Sequence, residues 1–211
     1  MFIISQNLSK YGYIPKSSVL RINLAWIYDL NELKRILTKY PDSKIFLDLP
    51  KGRTKPPNNK YTLQDIECFF KDYKNIAYFA ISNVESNSDL EPYKSIIPNK
   101  VTLVPKIESK MGVKNMADII KGLGDEKIVM LDHDDLYSSL VKSKMCGTDR
   151  RIPSDYFSDK DGEAPNWDCS GEFSELVKEL IDFCEINDVK LLRTVGVIFS
   201  DDEKRYGDYV D

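Results

Sequence analysis

The sequence predicts an α/β fold, a (β/α) barrel of the TIM type that is trimmed or incomplete at its C-terminal end. Three observations point there. Apolar, strand-like runs alternate with amphipathic helical segments along the 211 residues. The runs are nearly continuous in apolar character, as strands of a parallel sheet covered by helices are. Polar residues then collect at their C-terminal ends: Asn23, Asp48, Ser82, Glu108, Asp135 and Thr194. Sites fed by several strand ends at one face are characteristic of barrels. An open doubly wound sheet competes, but no Gly-rich phosphate loop follows the first strand, which weakens its dinucleotide-binding version.

In order, the strand-like segments are "MFIIS", "SVLRINLAW", "SKIFLDLP", "NIAYFAISNV", "KVTLVPKIE", "EKIVMLDH" and "VKLLRTVGVIF". These seven leave an eighth strand missing, irregular or supplied by a partner chain, so a homo-oligomer completing the barrel is one expectation. Between them, "LNELKRILTKY" carries Leu30, Leu33, Ile36 and Leu37 at helical spacing. "YTLQDIECFFKDY" opens on Thr62 and Asp65 in a capping-box arrangement and repeats apolar residues at Ile66, Phe69 and Phe70. "GVKNMADIIKGLG" reads as one helix ending on glycine, and "FSELVKELIDFCEIN" places Phe173, Leu176, Val177, Leu180, Ile181 and Cys184 on one stripe. Residues 143–172 break the rhythm as a long polar loop bearing Tyr156, Phe157 and Trp167. Loops of that length are often lids or binding loops. The whole chain, 1–211, reads as a single domain.

Composition narrows the function classes. A net charge of −4 gives no sign of a nucleic-acid or membrane-surface partner. No apolar run approaches the ~20 residues that span a bilayer, and "MFIISQN" reads as a first strand and not as a signal peptide. Four cysteines without a CxxC pair fit a reducing cytoplasm, with Cys68 and Cys184 expected in helix cores.

The chemistry gathers on two neighbouring strand ends. Lys106 and Glu108 are two residues apart and therefore share one face of an otherwise apolar strand. Burying either charge alone is costly, so an inward pair needs each other, further ligands or a cation. The next strand, "IVMLDHDDL", delivers carboxylates at its tip. Glu108 and Asp135 would offer two hard oxygen ligands to Mg2+ or Mn2+, with the Lys106 ammonium placed to neutralise an oxyanion or move a proton. From spacing alone, solvated strand-end charges explain the same residues equally well. His133, the only histidine, reads either as a general base or as a strand-end residue, and Arg150 and Arg151 as either an anion clamp or a solvated loop.

The order of segments resembles the barrel domain of pyruvate kinase. "RINLAW" is similar to that family's RxNxSH strand, "FLDLPKGRTKP" to LDTKGPxIR, and "FAISNVESNSDL" to ALSFVRSAEDV. "PKIESKMGVKNMADII" resembles KIENxxGVxNxDEI, and "IVMLDHDDL" resembles IMVARGDL. The likeness covers most of residues 1–140 and runs on loosely to about residue 200. It implies Lys106 as the catalytic lysine, Thr194 as an active-site threonine, and Glu108 and Asp135 as magnesium ligands. It implies Arg21 as a phosphate-contacting arginine, Ser82 and Asp134 as substrate-side residues, and Asn23 and Asp48 as monovalent-cation ligands. Departures accompany it. Ala25 and Leu49 replace two potassium ligands, so the K+ site reads as dismantled, and Trp26 replaces a histidine. Arg53 and Lys55 scramble the LDTKGPxIR pattern, and Asp134 and His133 replace the glycine and arginine of RGD. Only "PPNN" stands where pyruvate kinases insert a lid domain, and shielding phosphoryl transfer from water is harder without one.

"VPKIES" and "DHDDLYSSL" also resemble HpcH/HpaI-type aldolases and citrate-lyase-like proteins, which work without a nucleotide. The expectation is thus a Mg2+-dependent, pyruvate-kinase-like enzyme acting on phosphoenolpyruvate, pyruvate or a related 2-oxo acid through a stabilised enolate. The alternatives are an aldolase or lyase of the second type, and a degenerate barrel that binds a ligand or partner without turnover.

Overall fold

The computed structural model describes residues 3–5, 18–51, 59–146 and 169–193. Seven parallel strands pair in chain order: β1 (Ile3–Ser5), β2 (Val19–Asn23), β3 (Lys44–Leu49), β4 (Ile76–Ile81), β5 (Thr102–Ile107), β6 (Ile128–Leu131) and β7 (Lys190–Arg193). The helices are α1 (Leu30–Lys39), α2 (Leu63–Asp72), α3 (Glu91–Lys94), α4 (Lys110–Lys114), α5 (Met116–Ile119), α6 (His133–Cys146) and α7 (Ser170–Ile186).

The expected TIM-type barrel, trimmed or incomplete at its C-terminal end, is not formed; the sheet is an open, curled part-barrel. Among the described residues β1 pairs only with β2 and β7 only with β6. Closing a barrel requires the first and last strands to pair with a consistent tilt and stagger. No such pairing joins β1 to β7 among the described residues.

Strand alternation gives the sheet two different faces. Leu20, Ile22, Ile45, Leu47, Phe79, Ile81, Ile107, Val129 and Leu131 belong to the core formed with the helices. On the other face Val19, Phe46, Tyr78, Ala80, Val104, Ile128, Met130 and Leu192 form a second cluster drawn from β2 to β7. The Phe46 and Tyr78 rings stack there with centroids 6.1 Å apart. A register irregularity between β3 and β4 sets Ile45 opposite Ile76 but Phe46 opposite Tyr78. That shift brings Tyr78 and Ala80 to the concave side, and Ser82 follows at the same spacing.

The helices follow local chemistry. α2 carries its capping box: Thr62 N donates to Asp65 Oδ2 at 2.7 Å and Asp65 N donates to Thr62 Oγ1 at 3.3 Å. Its core stripe is Leu63, Ile66, Phe69 and Phe70. Cys68 falls off that stripe and is exposed, contrary to expectation, whereas Cys184 of α7 is buried. The expected single helix from residue 112 to 124 is broken at Asn115 into α4, α5 and a 3-10 turn at Ile120–Gly122. The long loop expected from residue 143 starts later, because α6 runs on to Cys146. Most of that loop lies outside the described residues, with Arg150, Arg151, Tyr156, Phe157 and Trp167, as do Arg53, Lys55 and Thr194.

Candidate functional site

The strand-end residues converge above the inner apolar cluster. On β2, Val19 faces inward and is buried, so Arg21 and Asn23 follow it on the same face. On β3 the step from Phe46 gives Asp48, and on β5 the step from Val104 gives Lys106 and then Glu108. On β6 the step from Met130 gives Asp132, just beyond the strand. Asp48, Ser82, Lys106 and Glu108 are buried polar residues. Ser82, Lys106 and Glu108 line a cavity of about 380 Å3 whose walls also include Arg21, Asn23, Trp26, Asp132, Asp134 and Asp135, while Asp48 is buried against Arg21 and Lys106.

A charge network holds the base together. Lys106 Nζ lies 2.6 Å from Glu108 Oε1, 3.2 Å from Asp132 Oδ2 and 4.0 Å from Asp48 Oδ2. Arg21 donates to the same Asp48 oxygen through Nη2 and, at 3.1 Å, through Nε. Burial alone would lower the Lys106 pKa, but Asp48, Glu108 and Asp132 outweigh it and raise the ammonium above its ordinary value. The same competition, won by Asp48, raises Arg21. Glu108 responds in the opposite balance. Burial is the largest influence and pushes its carboxyl up to about 7, with Lys106 opposing and Asp132 and Asp135 adding to the rise.

Backbone groups fix Glu108 in place. Asn83 N donates to Glu108 Oε2 at 2.8 Å. Asn83 has φ of 55°, a left-handed conformation that asparagine tolerates better than most residues. Its side chain donates to Lys51 O, just beyond β3, at 2.7 Å. The Ser109, Gly112, Asn115 and Asp118 run behind Glu108 acts as scaffold. Ser109 caps α4 by accepting from Gly112 N at 3.1 Å, and donates to Glu85 Oε1 at 2.5 Å. Asn115 Nδ2 donates to Glu85 O at 2.8 Å, and Asp118 Oδ2 accepts from Asn87 N at 2.9 Å. A Cβ on Gly112 would meet Val84 O at 2.9 Å, so only glycine permits this approach without displacement.

The donor set fits a divalent cation. Glu108, Asp132 and Asp135 each offer a carboxylate oxygen, all within 4.8 Å of one another. Hard cations take such oxygens, leaving remaining positions to water and substrate. Glu108 Oε1 lies 2.6 Å from the Lys106 ammonium, so a cation bound there would share that oxygen with Lys106. Asp132 is the residue that sequence reasoning passed over. The alternation from Met130 carries it to the same face, whereas the family pattern marks only Asp135.

The monovalent-cation candidates fit poorly. Asn23 Oδ1 accepts from Ala25 N at 3.0 Å as the cap of the 3-10 turn Leu24–Trp26. One Asp48 oxygen is held by Arg21, although Oδ1 is buried without a hydrogen-bond partner among the described residues. Arg21 and Asp48, expected in separate roles, are therefore one ion pair. His133 stands outside the cavity walls, its ring 6.2 Å from that of Phe173.

No protein-family model and no curated protein sequence matches the chain. Among solved structures, RipC from Yersinia pestis aligns with a TM-score of 0.56 at 12% identity, over 98% of this chain and 80% of that one. Pyruvate kinase from Pyrobaculum aerophilum aligns with a TM-score of 0.45 at 16% identity, over 57% of this chain and 45% of that one. The first likeness shows a shared α/β fold across nearly the whole chain. The second is partial and weak.

Proposed function

We propose that this protein is a divalent-metal-dependent enzyme acting on phosphoenolpyruvate, pyruvate or a related 2-oxo acid. The observation that carries the reading is the convergence of the Glu108, Asp132 and Asp135 carboxylates beside Lys106 and Arg21 at the base of one cavity. Mg2+ or Mn2+ held by those carboxylates would supply Lewis-acid stabilisation to the developing oxyanion of an enolate. Asp48 keeps Lys106 and Arg21 charged and oriented from below. Lys106, buried at the base and held protonated by its carboxylate neighbours, opposes negative charge developing on the substrate oxygens. Arg21 presents the rest of its guanidinium to a phosphate or carboxylate. The apolar cluster beneath excludes water from the lower side and strengthens each of these charge interactions.

The test is thermal stabilisation by Mg2+ with oxalate, a planar enolate mimic. Stabilisation that disappears in Glu108→Ala and Asp132→Ala supports the reading. Absence of any metal-dependent shift in the unaltered protein removes it and leaves a non-catalytic binding fold. If the shift appears, incubation with ADP plus phosphoenolpyruvate, set against carbon–carbon cleavage of 2-oxo acids, separates phosphotransferase from lyase.

A further inference from the structure

Trp26 is the exception among the walls of the cavity. Apart from it and Pro50, every described residue lining the space is polar or charged. Both apolar groups stand just beyond the paired ends of β2 and β3, where Asn23 lies opposite Asp48. The turn that carries Trp26 is fixed on both sides. Asn23 Oδ1 caps it by accepting from Ala25 N at 3.0 Å, and Ile27 N closes it by donating to Leu24 O at 3.2 Å. Leu24, Ala25 and Ile27 are all buried, and Trp26 alone is left 53% exposed.

A single exposed apolar side chain is ordinary on a protein surface, but this one borders a cavity and its ring is uncommitted. Among the described residues the indole stacks on no other aromatic ring and lies under no cation. Tyr28, two residues on, is more exposed still, but it is not a cavity wall, and Lys60 Nζ lies 5.1 Å from its ring centroid.

The charged walls indicate how much anionic charge the cavity balances. Arg21, Lys51, Lys106 and Lys142 are matched one for one by Glu108, Asp132, Asp134 and Asp135, and Asp48 adds one further acid beneath. A divalent ion turns that single excess negative charge into a single excess positive one. One acid group on the ligand restores neutrality, and it is the group that Arg21 and the ion already address. The remainder of the ligand is then uncharged, and the large apolar surface left for it is the Trp26 ring. A flat aromatic group meets an indole face over its whole area and gains both dispersion and quadrupole attraction there.

We propose that Trp26 is the specificity-determining residue of the site, its indole stacking on the aromatic side group of a 2-oxo acid whose single carboxylate is held at the base. This inference rests on the metal-site reading, and it narrows the substrate class to singly charged, aryl-substituted 2-oxo acids.

The experiment is calorimetric titration of the full chain in saturating Mg2+ with oxalate, pyruvate, 4-methyl-2-oxopentanoate and phenylpyruvate. Phenylpyruvate should bind at least about tenfold more tightly than pyruvate, and more tightly than the branched aliphatic acid. Trp26→Ala should remove that preference, and Trp26→Tyr should keep most of it. Equal affinity for phenylpyruvate and pyruvate overturns the inference while the metal site stands, and so does an aliphatic acid that binds as tightly as the aromatic one. A preference that survives Trp26→Ala also overturns it, by moving the aromatic contact off the indole. Loss of oxalate binding in Trp26→Ala does the same, because the residue would then be supporting the whole site. If oxalate fails to bind the unaltered protein, the metal-site reading fails and this inference goes with it.

Discussion

Glu108 should make the protein lose stability as pH rises through neutrality, and a single amide substitution should remove that loss. Its carboxyl titrates near 7 in the folded chain against an ordinary 4.5. A raised folded-state pKa means that the native state still holds a proton where the unfolded chain has released it. The stabilisation is therefore fully present below 4.5 and is lost as pH climbs through about 7. The rise from 4.5 to about 7 corresponds to about 3 kcal/mol in total, of which about 2 kcal/mol is lost between pH 5.5 and 8.5. Glu108 is buried, so solvent screening does little to reduce the figure.

Urea unfolding of the unaltered protein and of Glu108→Gln, in EDTA at constant ionic strength, measures the effect at pH 5.5, 7 and 8.5. His133 works in the opposite sense. Burial first, and then Arg193, lower its pKa from 6.5, so its share of stability is present above 6.5 and is lost as pH falls. Because both proteins keep His133, comparison at each pH cancels it. The glutamine variant should gain about 2 kcal/mol on the unaltered protein between pH 5.5 and 8.5. Parallel pH profiles would refute the reasoning, since they would mean that Glu108 ionises without penalty beside Lys106.

Three further outcomes follow from the same geometry. Lys106→Met should cost about 3–5 kcal/mol in urea unfolding at pH 7.5, because Asp48, Glu108 and Asp132 lose their shared cation; saturating Mg2+ should recover part of the loss. Gly112→Ala should cost about 1–3 kcal/mol in the same assay, since the new methyl presses on the Val84 carbonyl and moves the segment behind Glu108. Stabilisation by Mg2+ and oxalate should be equal in KCl and in tetramethylammonium chloride, because Arg21 and the Ala25 amide already use oxygens of Asp48 and Asn23; a requirement for K+ would show that those contacts yield to the ion.

The strands were legible because each is an apolar run with a polar tip, and the two-residue spacing placed Lys106 and Glu108 on one face, where Arg21 and Asp48 also lie. Helix α6 was not legible, because its apolar residues Leu136 and Leu140 are few and the remaining pattern answers to a cavity instead of a core. Closure was overread for a related reason. Whether β1 meets β7 depends on sheet curvature and stagger summed over every strand, and no local run of residues records that sum. The Arg21–Asp48 pair was missed because it joins residues 27 apart that a family pattern assigns to different ligands.

The open sheet and the site can be understood together. A closed barrel surrounds its strand ends with loops from every side, whereas this sheet leaves β1 and β7 unjoined among the described residues. Its cavity must be walled by something else, and α6 supplies a wall that continues two turns beyond the metal candidate Asp135. The buried ion network then has a physical reason to persist without closure. Lys106 and Arg21 tie β2, β3, β5 and the end of β6 to one another through Asp48, Glu108 and Asp132. Such a network resists separation of those strand ends, because pulling any one charge away leaves its partner buried and unpaired. The same groups that would prepare the site for a cation thus hold the curl that forms it.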